Sequence, residues 1–161
     1  ARMQRLVLRL LQLAQIGNAP EPTESVATAD FFSALASRYP SAKFELHSPP
    51  PRLFISVEHL RSAVVNLVEN ALRHGEGKPV TVRVSADRDR LRIEVTDQGS
   101  GISPANQARL FQRFFTTSRD SGGTGLGLAI VRAVAERSGG EVSYTTSPSG
   151  TTFTLLLSSR G

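Results

Sequence analysis

Four stretches in the second half of the chain alternate apolar and polar side chains with period two, and they come in two pairs. Val80, Val82 and Val84 mark residues 80–86; Leu91, Ile93 and Val95 mark residues 91–95, across the polar turn Asp87-Arg88-Asp89-Arg90. Residues 141–146 and 151–157 repeat the pattern, the last with Phe153, Leu155 and Leu157 on one side. Two such hairpins make a sheet with one apolar face, which needs helices to cover it. The candidates are residues 25–38, with Val26, Phe31, Phe32 and Leu35 apolar, a strong helical pattern over 58–74, and a helix from about 125 to 137 ended by Gly139-Gly140. Ser103-Pro104 reads as an N-cap with Pro at the first helical position, opening a helix that runs to about Phe111. Short strands are expected at 43–46 and 52–55, around Ser48-Pro49-Pro50-Pro51. The fold class is therefore α/β: a two-layer sandwich, its mixed and largely antiparallel sheet carrying helices on one face.

The 161 residues suffice for one domain with a real core, and there is no cysteine to form disulfides or thiolate metal sites. No apolar run approaches the roughly 18 residues that span a bilayer, so direct membrane insertion is not expected. The formal net charge is +5, without a run of five Lys or Arg and without an aromatic-interleaved basic stripe, so nucleic acid is not an expected partner. Residues 1–16 read as an amphipathic helix, with Met3, Leu6, Val7, Leu10, Leu13 and Ala14 near a heptad seam, stopped by Gly17, Asn18 and Pro20. That stripe calls for a partner helix, a second chain or the chain's own core. The start does not read as a signal peptide, and the chain reads as a piece of a longer protein. Residues 18–24 read as a polar linker.

Three segments carry candidate chemistry. Asn66 and Asn70 are four apart on the long helix, so they stack on one face, and Arg73 and His74 extend that stripe. Asn is a poor helix former, so two of them beside apolar neighbours suggest a shared ligand. An amide oxygen suits Mg²⁺, which takes hard oxygens and shares phosphates, and Arg73 suits phosphate; the alternative is a solvated helix face. Asp97 keeps the parity of Leu91, Ile93 and Val95, which aims its carboxylate at the apolar side, where it needs a donor such as an exocyclic amine. The alternative is an Asx turn into Gly99-Ser100-Gly101. Gly122-Gly123-Thr124-Gly125-Leu126-Gly127-Leu128 feeds a helix, whose free N–H groups bind anions; the alternative is a flexible linker. It is neither a P-loop nor a dinucleotide fingerprint. Thr151 could bond near a base or hold a water there, or simply favour a strand.

In this order the segments resemble the catalytic ATP-binding domain of sensor histidine kinases, in the superfamily shared with DNA gyrase B, the 90-kDa heat-shock chaperone and MutL. Residues 66–74 look like its N box, 97–101 its first glycine box, 111–115 its F box, 123–128 its second glycine box, and Gly150-Thr151 the last. The resemblance covers roughly residues 25–157 and implies the Bergerat ATP-binding fold. It also implies ATP and Mg²⁺ as ligands. Asn70 would hold the metal with Asn66 beside it, and Arg73 and His74 would meet phosphates. Asp97 would accept from the adenine amino group, with Gly99, Gly101, Ile102 and Thr151 around the base. Thr124, Gly125, Leu126, Gly127 and Leu128 would cradle phosphates, and Arg113 would reach them from a lid over about 103–124 anchored by Phe111, Phe114 and Phe115. Asn66, Asn70 and Arg73 would be the catalytic set.

The phosphoacceptor box H-[ED]-x-[RK]-x-P is absent; His59 lacks the acidic residue and the proline, and His47 reads as a surface residue. The resemblance thus implies transfer of the γ-phosphate to a histidine of a separate dimerisation and phosphoacceptor domain of the same protein, with residues 1–17 as the end of one of its helices. It further implies a downstream response regulator, a homodimeric full-length protein, and a cytoplasmic location tethered to the inner face of the plasma membrane. ATP-hydrolysing relatives carry a Glu four residues before the magnesium Asn. Here Asn66 stands there, and Glu69 lies about 100° round the helix from Asn70, which favours a kinase over an ATPase. A non-transferring nucleotide-binding module, or a related serine kinase or ATPase, remains the alternative.

Overall fold

The computed structural model describes residues 2–18, 23–112 and 126–158. In chain order the elements are α1 (Arg2–Asn18), β1 (Glu24–Ala27), α2 (Thr28–Arg38), β2 (Ala42–His47), β3 (Arg52–Ile55), α3 (Val57–His74), β4 (Val80–Asp87), β5 (Arg90–Asp97), α4 (Pro104–Gln107), α5 (Gly127–Arg137), β6 (Glu141–Ser147) and β7 (Gly150–Ser158).

Five strands form one sheet in the order β2-β4-β5-β7-β6. Only β2 and β4 are parallel; β4–β5, β5–β7 and β7–β6 are antiparallel. The period-two pattern sets the register: Val82 faces Val95, Val95 faces Phe153, and Ile93 faces Leu155, so one face is apolar across the central strands. Those side chains are buried, and α3 and α5 supply the matching apolar stripe through Leu60, Val64, Leu67, Val68, Ile130, Val131 and Val134. The architecture is the α/β sandwich expected from the pattern.

Three boundaries differ from the sequence reading. Residues 24–27 are a strand rather than the start of a helix, because β1 pairs antiparallel with β3, Val26 opposite Leu53. The backbone then turns into α2 where the Thr28 hydroxyl donates to the Pro50 carbonyl (2.5 Å) and its N–H to that of Pro51 (3.1 Å). Those partners lie more than twenty residues away, beyond any local periodicity. The helix opened by Ser103, whose hydroxyl accepts from Asn106 N–H, ends at Gln107. Beyond it Arg109, Leu110 and Gln112 donate to carbonyls three residues back, a tighter winding seldom sustained. Finally, α1 continues through Gly17 to Asn18.

The apolar residues of α1 divide between two sides. Leu13 and Ile16 are buried and Leu6 packs on the core, on the side that meets α5. Met3, Val7, Leu8, Leu10 and Leu11 are exposed. No described helix is long and apolar enough to cross a membrane.

Candidate functional site

A cavity of about 280 Å³ opens where the C-terminal half of α3, the end of β5, α4 and the start of α5 meet the start of β7. Asn70, Arg73, His74, Asp97, Gly101, Ile102, Gly127, Leu128 and Thr151 all line it. Residues from four separate segments of sequence therefore reach one hollow.

The helix α3 begins at Ser56, whose hydroxyl accepts from His59 N–H (3.2 Å), and it runs eighteen residues to His74. Its apolar stripe is buried, so the Asn70–His74 end is held rigidly at the cavity wall. Among the described residues, the side chains of Asn70, Arg73 and His74 make no hydrogen bond. Three polar groups thus face the hollow with their bonding capacity free. Burial, and secondly the Arg73 charge, hold the His74 imidazole below its ordinary pKa of 6.5, with Asp97 opposing.

Asp97 closes β5 on its inward face and is 4% exposed. One carboxylate oxygen accepts from Gly99 N–H at 2.9 Å. The inward parity and the Asx turn are therefore both present: the turn takes one oxygen and leaves the other for the cavity. Gly99 and Gly101 are required by close approach. A β-carbon at Gly99 would lie 2.0 Å from the His74 carbonyl oxygen; one at Gly101, where φ is +87°, would lie 2.2 Å from that of Ser147. The loop is wedged between the end of α3 and the β6–β7 turn.

The N-terminus of α5 completes the wall. Leu126 is its N-cap and is fully buried, and Ile130 N–H donates back to the Leu126 carbonyl (2.9 Å). The first N–H groups of a helix have no acceptor within it, and Gly127 and Leu128, at this helix start, line the cavity.

Asn66 does not join this wall. Its oxygen accepts from the Arg9 guanidinium (2.8 Å) and its amide nitrogen donates to the Ser62 carbonyl (2.6 Å). In this arrangement it lies between α1 and α5, outside the cavity lining, with its oxygen engaged by a residue of α1. Arg9 also pairs with Glu69 (3.2 Å), whose other oxygen accepts from the Tyr39 hydroxyl (2.8 Å). Burial first, then that bond, pushes the Tyr39 pKa up to about 12. Gly99 shapes the Asp97 turn and Leu126 caps α5 without lining the hollow. Arg113, Thr124 and Gly125, with Phe114, Phe115 and most of the expected lid, lie outside the described residues. Phe111 is described and packs with Tyr144 and Phe153, ring centroids 6.4 Å from each.

Six cavity residues were not singled out as ligand-binding from the sequence: Glu76, Ser100, Ser103, Asn106, Leu110 and Phe153. Ser103 and Phe153 carried visible signals, but as a helix cap and a core strand residue. Among the described residues no group of three or more His, Cys, Asp or Glu is placed to hold a metal ion.

Comparison with known proteins gives a consistent picture. The family model for histidine kinase-, DNA gyrase B- and HSP90-like ATPases matches residues 55–161. The probable sensor histidine kinase TcrY of Mycobacterium tuberculosis is 36% identical over 169 aligned positions, covering 97% of this chain and 35% of TcrY. The sensor-like histidine kinase SenX3 of the same organism is 34% identical over 172 positions, covering 97% of this chain and 42% of SenX3. The chain thus spans less than half the length of these curated relatives. Among solved structures, full-length ShkA in complex with AMPPNP superposes with a TM-score of 0.84 at 27% identity, over 96% of this chain and 35% of ShkA. The mycobacterial sensor histidine kinase MprB gives 0.69 at 30% identity, over 86% of this chain and 98% of the MprB chain.

Proposed function

This chain belongs to the family of histidine kinase-, DNA gyrase B- and HSP90-like ATPases, and from that premise we propose that its cavity holds Mg·ATP and presents the γ-phosphate to a histidine on a separate phosphoacceptor segment. The carrying observation is the convergence on one hollow of unspent polar side chains from α3, a recessed carboxylate from β5 and the open N-terminus of α5.

Each group has a task suited to its chemistry. The free oxygen of Asp97 accepts from the adenine amino group and orients the base, while Ile102 and Phe153 give it an apolar bed. Arg73 and the α5 N-terminus meet the phosphate oxygens. His74, whose pKa burial and the Arg73 charge hold below its ordinary value, adds a hydrogen-bonding group beside them. Asn70 fits a magnesium ion, because its amide lines the cavity with no hydrogen-bonding partner among the described residues. With no group of three or more His, Cys, Asp or Glu placed for a metal among the described residues, the remaining ligands would be phosphate oxygens and water. Bound there, the ion would neutralise phosphate charge and draw off negative charge as the terminal phosphoryl group leaves.

Transfer is favoured over hydrolysis by the placement of Glu69. It is tied to Arg9 and Tyr39 and does not line the cavity, so it has no access to an attacking water. Glu76 does reach the hollow, but at an exposed turn, 3.9 Å from Lys78. His59 is buried within α3, so the acceptor histidine belongs elsewhere. On this reading α1 is the end of a dimerisation and phosphoacceptor helix. The whole protein then works as a cytoplasm-facing homodimer that passes phosphate to a response regulator.

A fluorescent ATP analogue titrated with and without Mg²⁺ tests the binding half, with tighter binding expected in Mg²⁺. Labelled ATP mixed with this chain and a phosphoacceptor-domain fragment should label that fragment. Tight ATP binding with no labelling of the cognate fragment would refute the kinase assignment, and sustained phosphate release without an acceptor would favour an ATPase.

A further inference from the structure

The cavity wall beside Asp97 is built from a chain of hydroxyl groups whose direction is fixed from outside the cavity. The β-ladder sets Asp97 opposite Thr151 and Thr151 opposite Thr146, so the three side chains stand in a row on the inward face of β5, β7 and β6. Ile102 N–H donates to the Thr146 hydroxyl oxygen at 3.0 Å, and the Thr146 and Thr151 hydroxyls are 2.8 Å apart. Thr151 is 4% exposed and lines the cavity; Thr146 does not line it.

A hydroxyl group has one proton and two lone pairs. Thr146 spends a lone pair on Ile102 N–H. Among the described residues its own proton has one acceptor in reach, the Thr151 oxygen. The reverse polarity would leave the Thr146 proton without an acceptor in a half-buried place, which is the costlier arrangement. Thr146 therefore donates to Thr151, and the Thr151 proton is left to point into the cavity. The Gly101 backbone passes close to both groups, where an added β-carbon would lie 2.2 Å from the Ser147 carbonyl oxygen and 3.2 Å from the Thr146 hydroxyl, and this sets Ile102 N–H beside Thr146.

We infer that Thr146 is a positioning residue for base selection: it makes Thr151 a hydrogen-bond donor beside the Asp97 acceptor. The inference rests on the nucleotide reading of this site. The wall then presents an acceptor next to a donor. Adenine offers the complementary edge, an amino donor next to the N1 acceptor. Guanine offers a carbonyl acceptor next to an N1–H donor, which opposes both groups. Thr146 touches neither base and acts through Thr151.

The test compares ATP with 1-deaza-ATP, in which the N1 acceptor is replaced by CH, on the chain as it stands, in Mg²⁺. The variants are Thr146→Val, which keeps shape and strand preference without the hydroxyl, and Thr146→Ser, which restores it. Wild type should prefer ATP by about tenfold, the worth of one ordinary hydrogen bond. Thr146→Val should bind 1-deaza-ATP as wild type does but lose part of the preference, because the Thr151 hydroxyl keeps its proton and loses the contact that fixes its direction, and Thr146→Ser should regain it. A purely structural role would weaken both ligands together and leave their ratio alone. A Thr146→Val protein that keeps the full preference overturns the inference. So does a wild type that binds ATP yet does not distinguish the analogue. If Thr146→Val fails to fold by circular dichroism, Thr146→Ser decides: loss of the preference there overturns the inference, and retention supports it. Failure of wild type to bind ATP at all overturns the underlying nucleotide reading, and the inference with it.

Discussion

Replacing Asp97 by Asn changes one oxygen for one amine with no change in shape, and the structure dictates which way the amide will face. Gly99 N–H sits 2.9 Å from one carboxylate oxygen and needs an acceptor. An Asn at 97 meets that need with its single oxygen, and its NH₂ group takes the place of the oxygen left for the cavity. The wall then shows a donor where it showed a charged acceptor. A hydrogen bond to a charged group is worth about 1.5–3 kcal/mol, so ATP affinity should fall roughly 10- to 150-fold. Facing two donors at each other adds to that loss. The guanine carbonyl, repelled by the carboxylate, would now find a donor, so GTP should weaken far less or tighten. Calorimetric titration of wild type and Asp97→Asn with ATP and GTP in Mg²⁺ measures the ratio directly, and thermal unfolding without nucleotide should stay within a few degrees. An Asp97→Asn protein with an unaltered ATP-to-GTP ratio would refute the reasoning, since neither orientation nor charge would then matter to the base.

Other outcomes follow from the same geometry. Asn70→Ala should weaken ATP binding in Mg²⁺ by roughly tenfold or more, about 1.4 kcal/mol, and change binding in EDTA little, because only the metal-dependent part is removed; equal losses in both conditions would remove the metal role. His74 has a folded pKa below its ordinary 6.5, so its contribution to stability is complete above that value and declines as pH falls through and below it, where the unfolded chain takes up the proton first. The melting temperature should therefore drop between pH 7 and 5, and His74→Gln should flatten part of that drop. Gly101→Ala places a β-carbon 2.2 Å from the Ser147 oxygen at a positive φ, costing about 1–3 kcal/mol for the backbone alone, and nucleotide binding should disappear before the fold does, as read by titration against circular dichroism. Arg9→Ala removes a partly buried ion pair and the bond to Asn66, which should lower stability by about 1–2 kcal/mol in urea unfolding, and the loss should shrink in a Glu69→Gln background; an undiminished loss there counts against the pair.

The hairpins were legible because each is local. Val82 and Val95 are joined by a turn two residues long, and period-two burial on one face leaves a single workable register. The strand β1 was not legible because its partner β3 follows an entire helix and another strand, and because Val26 fits the apolar face of a helix as well as a strand. The short α4 shows a different limit. Ser103-Pro104 marks a helix start, but nothing at Gln107 marks an end. The stop is made by tertiary contacts: Gln107 donates to the Ile102 carbonyl at 2.9 Å and accepts from the Tyr144 hydroxyl at 3.3 Å, while Phe111 is drawn into the Tyr144–Phe153 cluster. A side chain committed backward and a ring committed to the sheet cannot both be met by a straight helix.

The site divides along the same line. Asn66 and Asn70 look equivalent in sequence, one helical turn apart on one stripe. Stacking on a helix face fixes the direction of a side chain, but what that direction meets depends on elements distant in the chain. At Asn70 it meets the hollow under α4 and α5. At Asn66, four residues towards the N-terminus of α3, it meets Arg9, fifty-seven positions away, and the Ser62 carbonyl within its own helix. A guanidinium that also pairs with Glu69 holds that oxygen more firmly than water would, since two charge-assisted contacts share one ordered side chain. The spacing that raised the idea of a paired amide site therefore yields one amide at the cavity and one in a contact that ties α1 to the helix carrying the other.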